Sequence, residues 1–250
     1  MPELPDLEVF SKHLQKKLKG KKLKALSKAG SWKKDFLRQP LKKVYREGKE
    51  LRFLFGNGHI LGLHLMLHGK LVYEEKDSKP AHTVFSLQFD DGSTLSVTDW
   101  QKKARITPDP QLSEVPDALS RQFSAAYLKK LLAGSRAKVK KLLIDQHVIR
   151  GIGNAYADEI LYEARISPFS IAEKIPEEAS VRLARSIKKV LKDAVKKIEK
   201  DHPDIIAGEV RDFMRVHQHG KEKSPGGKKI EHAEMNGRTT YYTEEQTEYT

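Results

Sequence analysis

The chain has no cysteine. That excludes disulfides, thiol nucleophiles, iron–sulfur clusters and cysteine-based structural zinc sites together. It also lacks any apolar run near the ~18 residues needed to cross a bilayer, which excludes a membrane-spanning protein. Its start, Met1-Pro2-Glu3-Leu4-Pro5-Asp6, has acids and prolines where a secretory signal has a basic and then an apolar stretch. The expectation is an intracellular protein. Ten histidines remain as possible metal ligands, but none stands at i, i+4 with a carboxylate between. His217 and His219 read as surface histidines of a polar loop. Acids are the other deficit: 34 against 47 lysines and arginines give +13, with pI near 9.6. The balance is uneven. Residues 201–250 carry 7 bases and 10 acids, leaving +16 on residues 1–200. A polyanionic partner follows, nucleic acid more than a membrane surface, because the lysines are spread over several segments. A merely solvated basic surface is the alternative.

The 250 residues suit one large domain or two modest ones. After Pro5, apolar residues Leu7, Phe10, Leu14 and Leu18 recur at helical spacing up to Gly20. From Lys21 to Val97 the period shortens. Residues 51–55, the turn Gly56-Asn57-Gly58 and residues 59–65 read as one hairpin, and residues 83–89, Asp90-Asp91-Gly92 and 93–97 as another. Residues 107–118, rich in proline and acid, read as a linker. Beyond it the pattern is helical over 123–132, 136–145, 155–164 and 177–200, the last with a stripe of Val181, Ala184, Ile187, Leu191, Ala194 and Ile198. From 208 onward glycine and proline return, and a short hairpin is expected around Asn236-Gly237. The fold class is α+β: an N-terminal helix plus β-sandwich (1–112), a helical domain (119–205) and a C-terminal hairpin (206–250).

Two segments carry chemistry. A small second residue, Pro2, permits removal of Met1, exposing a secondary amine whose pKa of ~7.7–8.0 leaves a nucleophilic fraction near neutrality. Condensation with an aldehyde carbon gives an iminium that cannot shed an N–H proton, so it acts as an electron sink. Glu3 beside it can move the accompanying proton. Read alone, the prolines could simply delay the helix. The second segment, Gln146 to Glu159, sets Gly151 and Gly153 immediately before a helix. Their N–H groups can approach a phosphate, and Asn154 can cap the helix or donate to the same anion. An ordinary helix–turn–helix with an Asn cap fits equally well.

Taken together, these residues resemble the formamidopyrimidine-DNA glycosylase and endonuclease VIII family of base-excision repair enzymes. Residues 1–8 look like its amino-terminal signature, Arg46-Glu47-Gly48-Lys49 like its lysine loop, and 62–69 like the strand and loop after it. Residues 145–161 look like its helix–two-turns–helix, and 236–242 like its finger hairpin. The resemblance implies Pro2 as nucleophile at the sugar C1′ of a flipped nucleotide and Glu3 as the acid–base residue. It implies that Lys49 binds the neighbouring phosphate, with Asn154, Gly151, Gly153 and Arg238 as further DNA contacts. Loss of an oxidised base followed by β- and δ-elimination is the implied reaction, with no metal or organic cofactor. The implied partner is damaged double-stranded DNA, lying in a cleft between the domains. The implied protein is monomeric, has no membrane association, and is cytoplasmic and associated with the bacterial nucleoid.

Three departures from the family pattern stand out. Thr243 and Gln246 fall where the finger's second cysteine pair would be, so a zincless finger held by Tyr241, Tyr242 and Ile230 is expected. The void-filling positions look like Leu67 and then Trp100-Gln101-Lys102-Lys103, without the usual phenylalanine. Asp6 stands where the family has glutamate, and the loop over the lesion looks abbreviated around 216–227. Two other classes remain open: a non-catalytic binder of damaged or structured DNA with the same fold, and an RNA-binding protein sharing only the helix–two-turns–helix.

Overall fold

Helix α1 spans Leu4–Leu18, two residues earlier than a start after Pro5. Pro5 sits in the first turn, where its missing N–H has no intrahelical partner to lose. Leu7, Phe10, Leu14 and Leu18, each at most 1% exposed, form the buried stripe. Burying a side chain of this size stabilises by roughly 1.5–3 kcal/mol. The helix stops at Lys19, and Gly20 turns the chain at φ +85°, a conformation glycine adopts without strain.

The computed structural model describes residues 1–27, 30–76 and 79–250. They form two units, Met1–Leu112 with Lys197–Glu209, and Ser113–Lys196 with Val210–Thr250.

In the first unit eight strands follow α1: β1 Leu23–Leu26, β2 Leu41–Glu47, β3 Glu50–Phe55, β4 Ile60–His64, β5 Lys70–Glu74, β6 Thr83–Phe89, β7 Thr94–Thr98 and β8 Arg105–Pro108. They make two antiparallel sheets, ordered β1-β6-β7-β5 and β2-β3-β4-β8. Both expected hairpins are present, as β3–β4 and β6–β7. The α1 stripe shares one core with Phe53, Phe55, Phe85, Phe89 and Val97 from the two sheets. The expected linker begins later than its composition suggests. Thr107 and Pro108 belong to β8, pairing with Gly62 and Leu61, and an edge strand is where a sheet tolerates proline.

The second unit holds α2 Ala125–Ala133, α3 Val139–Ile144, α4 Asn154–Ala164, most of α5 Glu177–Asp201, and the hairpin of β9 Glu231–Met235 with β10 Arg238–Tyr242. The Ser124 hydroxyl caps α2 by accepting from Tyr127 N–H at 3.1 Å. On α5, Leu183 is buried while the expected Val181 is only half-buried; the rest of the expected stripe is buried. No helix among the described residues is long and apolar enough to cross a membrane.

Candidate active site

In the first unit the chemistry collects where α1 begins. Glu3 is the N-cap of α1 in a reciprocal capping box: its side chain accepts from the Asp6 N–H, and its own N–H donates to Asp6 Oδ2 at 2.9 Å. Both are buried, Glu3 at 5% and Asp6 at 0% exposure. Asp6, one methylene shorter than the glutamate of the family pattern, thus serves the helix start. Pro2 is buried and lines a cavity of about 250 Å³ with Leu67, His68, Trp100 and Glu209. The Met1 ammonium pairs with the Glu209 carboxylate.

Lys49 stands in the turn between β2 and β3, after Gly48 at φ +59°. Arg46 braces that turn, donating to the Gly48 carbonyl at 3.0 Å and to Glu8 Oε2 at 2.9 Å. Burial, reinforced by the charges of Lys49 and Arg105, pushes the His64 imidazole below its ordinary pKa. Neutral His64 accepts through Nδ1 from Met66 N–H at 3.0 Å. Met66 at φ +54° and the Gly69 N–H to Leu65 carbonyl bond then fold a tight loop. A Cβ on Gly69 would lie 2.2 Å from the Leu65 oxygen, so only glycine fits. At the loop's tip Leu67 is 59% exposed, an apolar side chain that the core does not use.

A second loop sits beside it. Trp100, also exposed, packs on His68 with ring centroids 5.0 Å apart. Buried Asp99 shapes this loop by accepting from the N–H groups of Gln101, Lys103 and Ala104. Burial alone would raise its carboxyl, but those bonds prevail and hold it below the usual carboxylate range. Lys102, at φ +56°, and Lys103 are exposed.

In the second unit the glycine turn is built differently from the expectation. Gln146 ties it internally, donating to the Ile144 and Ile152 carbonyls and accepting from Gly151 N–H at 2.9 Å. The Gly151 N–H is therefore engaged within the protein. Gly153, not Asn154, is the N-cap of α4. Asn154 occupies the first helical position and donates from Nδ2 to the Thr239 carbonyl at 2.9 Å. It thereby couples the helix start to the hairpin, whose Asn236-Gly237 turn, both residues at positive φ, leaves Arg238 exposed at its tip.

Three carboxylates missed from the sequence hold this unit together. Asp158, fully buried on α4, pairs with Lys140 at 2.7 Å and His217 Nδ1 at 2.7 Å, and accepts from Tyr241 N–H at 3.0 Å. His217 is therefore no solvated loop histidine; it also packs edge-on against Tyr241. Glu159 accepts from the N–H groups of Arg215, Val216 and His217, fixing the loop that precedes the hairpin. Glu245 accepts from Arg165 Nη1 at 2.6 Å, from Tyr162 at 3.4 Å and from the Ser224 hydroxyl. An Asp-Glu pair in the middle of a helix whose neighbouring positions are mostly apolar was the available signal for the first two.

Two domain descriptions of one protein family match the chain. The family description "Formamidopyrimidine-DNA glycosylase N-terminal domain" matches residues 1–106, and "Formamidopyrimidine-DNA glycosylase H2TH domain" matches residues 115–202. The formamidopyrimidine-DNA glycosylase of Pelotomaculum thermopropionicum is 32% identical over 97% of both chains. The chain belongs to the formamidopyrimidine-DNA glycosylase family. A further relative of that name, from Ureaplasma parvum, is 33% identical over 97% of this chain and 98% of its own. In fold, the chain resembles a Lactococcus lactis Fpg in complex with DNA containing an abasic site. The TM-score is 0.87 at 23% identity, covering 99% of this chain and 100% of that one.

Within this formamidopyrimidine-DNA glycosylase family fold, the finger is zincless and closed by hydrogen bonds. Gln246 accepts from Thr243 N–H at 2.9 Å and donates to the Ile166 carbonyl at 2.8 Å, so the two residues at the cysteine positions bond to each other. Ile230 packs with Tyr162, Val216 and Tyr241, and Tyr242 meets Phe169 edge-on. No cluster of three or more potential metal ligands occurs among the described residues.

Proposed function

We propose that this member of a DNA glycosylase family is bifunctional, excising oxidised bases from double-stranded DNA and cleaving the resulting abasic site. The observation that carries the reading is the start of α1: Pro2 lines a cavity while Glu3, the next residue, is fixed as the buried helix cap. In the structure Met1 precedes Pro2, so the Pro2 nitrogen is an amide; the reactive chain is the one from which Met1 has been removed. Its secondary amine attacks C1′ of the flipped nucleotide. The C1′–N bond breaks, the base leaves with a proton, and Glu3 serves the proton transfers that open the sugar ring. The iminium acidifies the C2′ proton. Its loss expels the 3′ phosphate, and a second elimination expels the 5′ phosphate. No metal or organic cofactor enters these steps.

Lys49 sits at a braced turn, as a phosphate ligand beside the lesion needs to. Leu67 is the side chain proposed to fill the void left by the extruded base, with Lys102 and Lys103 on nearby phosphates. In the second unit, Asn154, Gly153 and Arg238 are assigned to the DNA backbone, with Gly151, whose N–H goes to Gln146, shaping the turn that presents them. An amide nitrogen carries two N–H donors, and one from Asn154 goes to Thr239. Residues 1–112 thus supply the chemistry, 119–205 the helix–two-turns–helix and 206–250 the finger, in a protein acting as a monomer. The test is incubation with a duplex bearing one oxidised base. Base release with phosphate at both ends of the gap supports the reading; tight, salt-dependent binding without release assigns the chain to non-catalytic DNA binders.

A further inference from the structure

Residues 16–43 hold twelve lysines and arginines and a single acid, Asp35, so this stretch carries +11 of the chain's +13. None of the proposed site residues lies in it. Backbone bonds bring residues 20–23 and 39–41 of this stretch together in the first unit. Gly20 N–H donates to the Leu41 carbonyl, Leu41 N–H to Lys21, and Leu23 N–H to Gln39. Gln15 of α1 joins the same place, accepting from Val44 N–H. Lys16, Lys19, Lys24, Lys42 and Lys43 are exposed there. Among the described residues none of these five has a carboxylate in salt-bridge range; nearby acids go to other cations, Asp91 to Lys21 and Glu199 to Lys12.

This surface lies away from the catalytic residues of the same unit. From Glu3 to Lys19 the helix advances about 24 Å at ~1.5 Å per residue. Strand β2 runs the same distance scale, with Lys42 and Lys43 at one end and the Lys49 turn at the other.

The chemistry of the patch selects its partner. Protein interfaces rely on apolar and aromatic anchors and are depleted of lysine at their centres. The exposed large apolar side chains among the described residues, Leu67, Trp100 and Leu112, are all outside this stretch. Dense, unpaired lysines without such anchors suit a phosphate backbone, where each neutralised phosphate releases counterions. We propose that this surface is a second nucleic-acid contact, holding a separate duplex segment while the first occupies the catalytic side. Such a protein passes from one duplex to another without first entering free solution. The inference rests on the reading of DNA as the partner, but not on the chemistry proposed for Pro2.

The experiment compares the wild-type chain with K16Q/K19Q/K24Q/K42Q/K43Q, using short undamaged duplex as the probe. At low salt, sedimentation of the wild type is expected to saturate at two duplexes per protein, and of the variant at one. The summed salt slope should fall by up to about 4.5, at ~0.9 per phosphate contact. Dissociation from a labelled duplex should quicken with competitor DNA concentration in the wild type only. Saturation of the wild type at one duplex, or unchanged stoichiometry in the variant, overturns the proposal; the former leaves an acidic protein as the partner to seek. Borohydride trapping on abasic DNA, run in parallel, reports separately on the glycosylase reading and confirms that the variant is folded.

Discussion

The N–H of Glu3 donates to the Asp6 carboxylate at 2.9 Å, while the Glu3 carboxylate accepts from the Asp6 N–H. The residue assigned to proton transfer is thus held by the first turn of α1. Asp6→Ala should destabilise the first unit by about 1–2 kcal/mol, the scale of a lost helix cap. Activity should fall about a hundredfold, through kcat more than KM, because a small misplacement of the acid–base group is expensive in rate. Steady-state kinetics with a thermal melt checks both; a loss confined to KM would show that Asp6 does not position Glu3.

Lys140 and Asp158 form an ion pair at 2.7 Å with both side chains excluded from water. Removing one partner of a buried pair leaves an uncompensated charge and destabilises by about 3–5 kcal/mol. Lys140→Met should therefore lower the denaturation midpoint strongly. Lys140→Met combined with Asp158→Asn should recover part of the loss, since no bare carboxylate remains. A double variant less stable than the single one would contradict this account of the unit's centre.

Burial alone would raise the Glu245 carboxyl, but bonds from Ser224, Arg165 and Tyr162 prevail and hold it below its ordinary value of 4.5. A depressed folded-state pKa gives stability that is present above the unfolded-state value and is lost as pH falls through the folded one. The wild type should therefore melt above Glu245→Gln at neutral pH, with the difference shrinking as pH drops below about 4.5. Parallel melts across that window check it. A constant difference would mean that the carboxylate's charge does not hold the finger. Chelators should leave both melts unchanged.

Leu67, exposed at the tip of a glycine-dependent loop, is the side chain proposed to fill the void that an extruded base leaves in a duplex. Leu67→Ala should slow excision from duplex by about tenfold, the scale of 1–2 kcal/mol from lost apolar contact. Cleavage of a single-stranded abasic site should be unaffected. Equal losses on both substrates would remove the void-filling assignment.

Much of this was legible in the sequence, for physical reasons. The α1 stripe and both hairpins follow from periodicity, because burial on one face imposes it directly. The family resemblance rested on short motifs; two of them, residues 1–8 and 62–69, contribute to the lining of the cavity at Pro2, and 145–161 holds the turn before α4. What stayed hidden were the polar centres. Lys140 is one lysine among several in 138–141, and nothing local marks it as the buried one. Glu245 lies in a run of acids at the chain's end, and its partners Ser224, Arg165 and Tyr162 are 21, 80 and 83 residues away. Which residue caps α4 stayed open in the sequence, because glycine and asparagine both cap well. Only the Thr239 contact shows that Asn154 has other work.

The central claim is that the Pro2 nitrogen is the nucleophile, and borohydride trapping on duplex with one abasic site tests it most directly. Three chains are compared, their amino termini checked by intact mass: one beginning at Pro2, one retaining Met1, and Pro2→Gly. The account predicts a covalent protein–DNA adduct from the Pro2 terminus, none from the chain retaining Met1, and a severe loss with Pro2→Gly. Equal trapping by all three, or none by the Pro2 terminus, would contradict it.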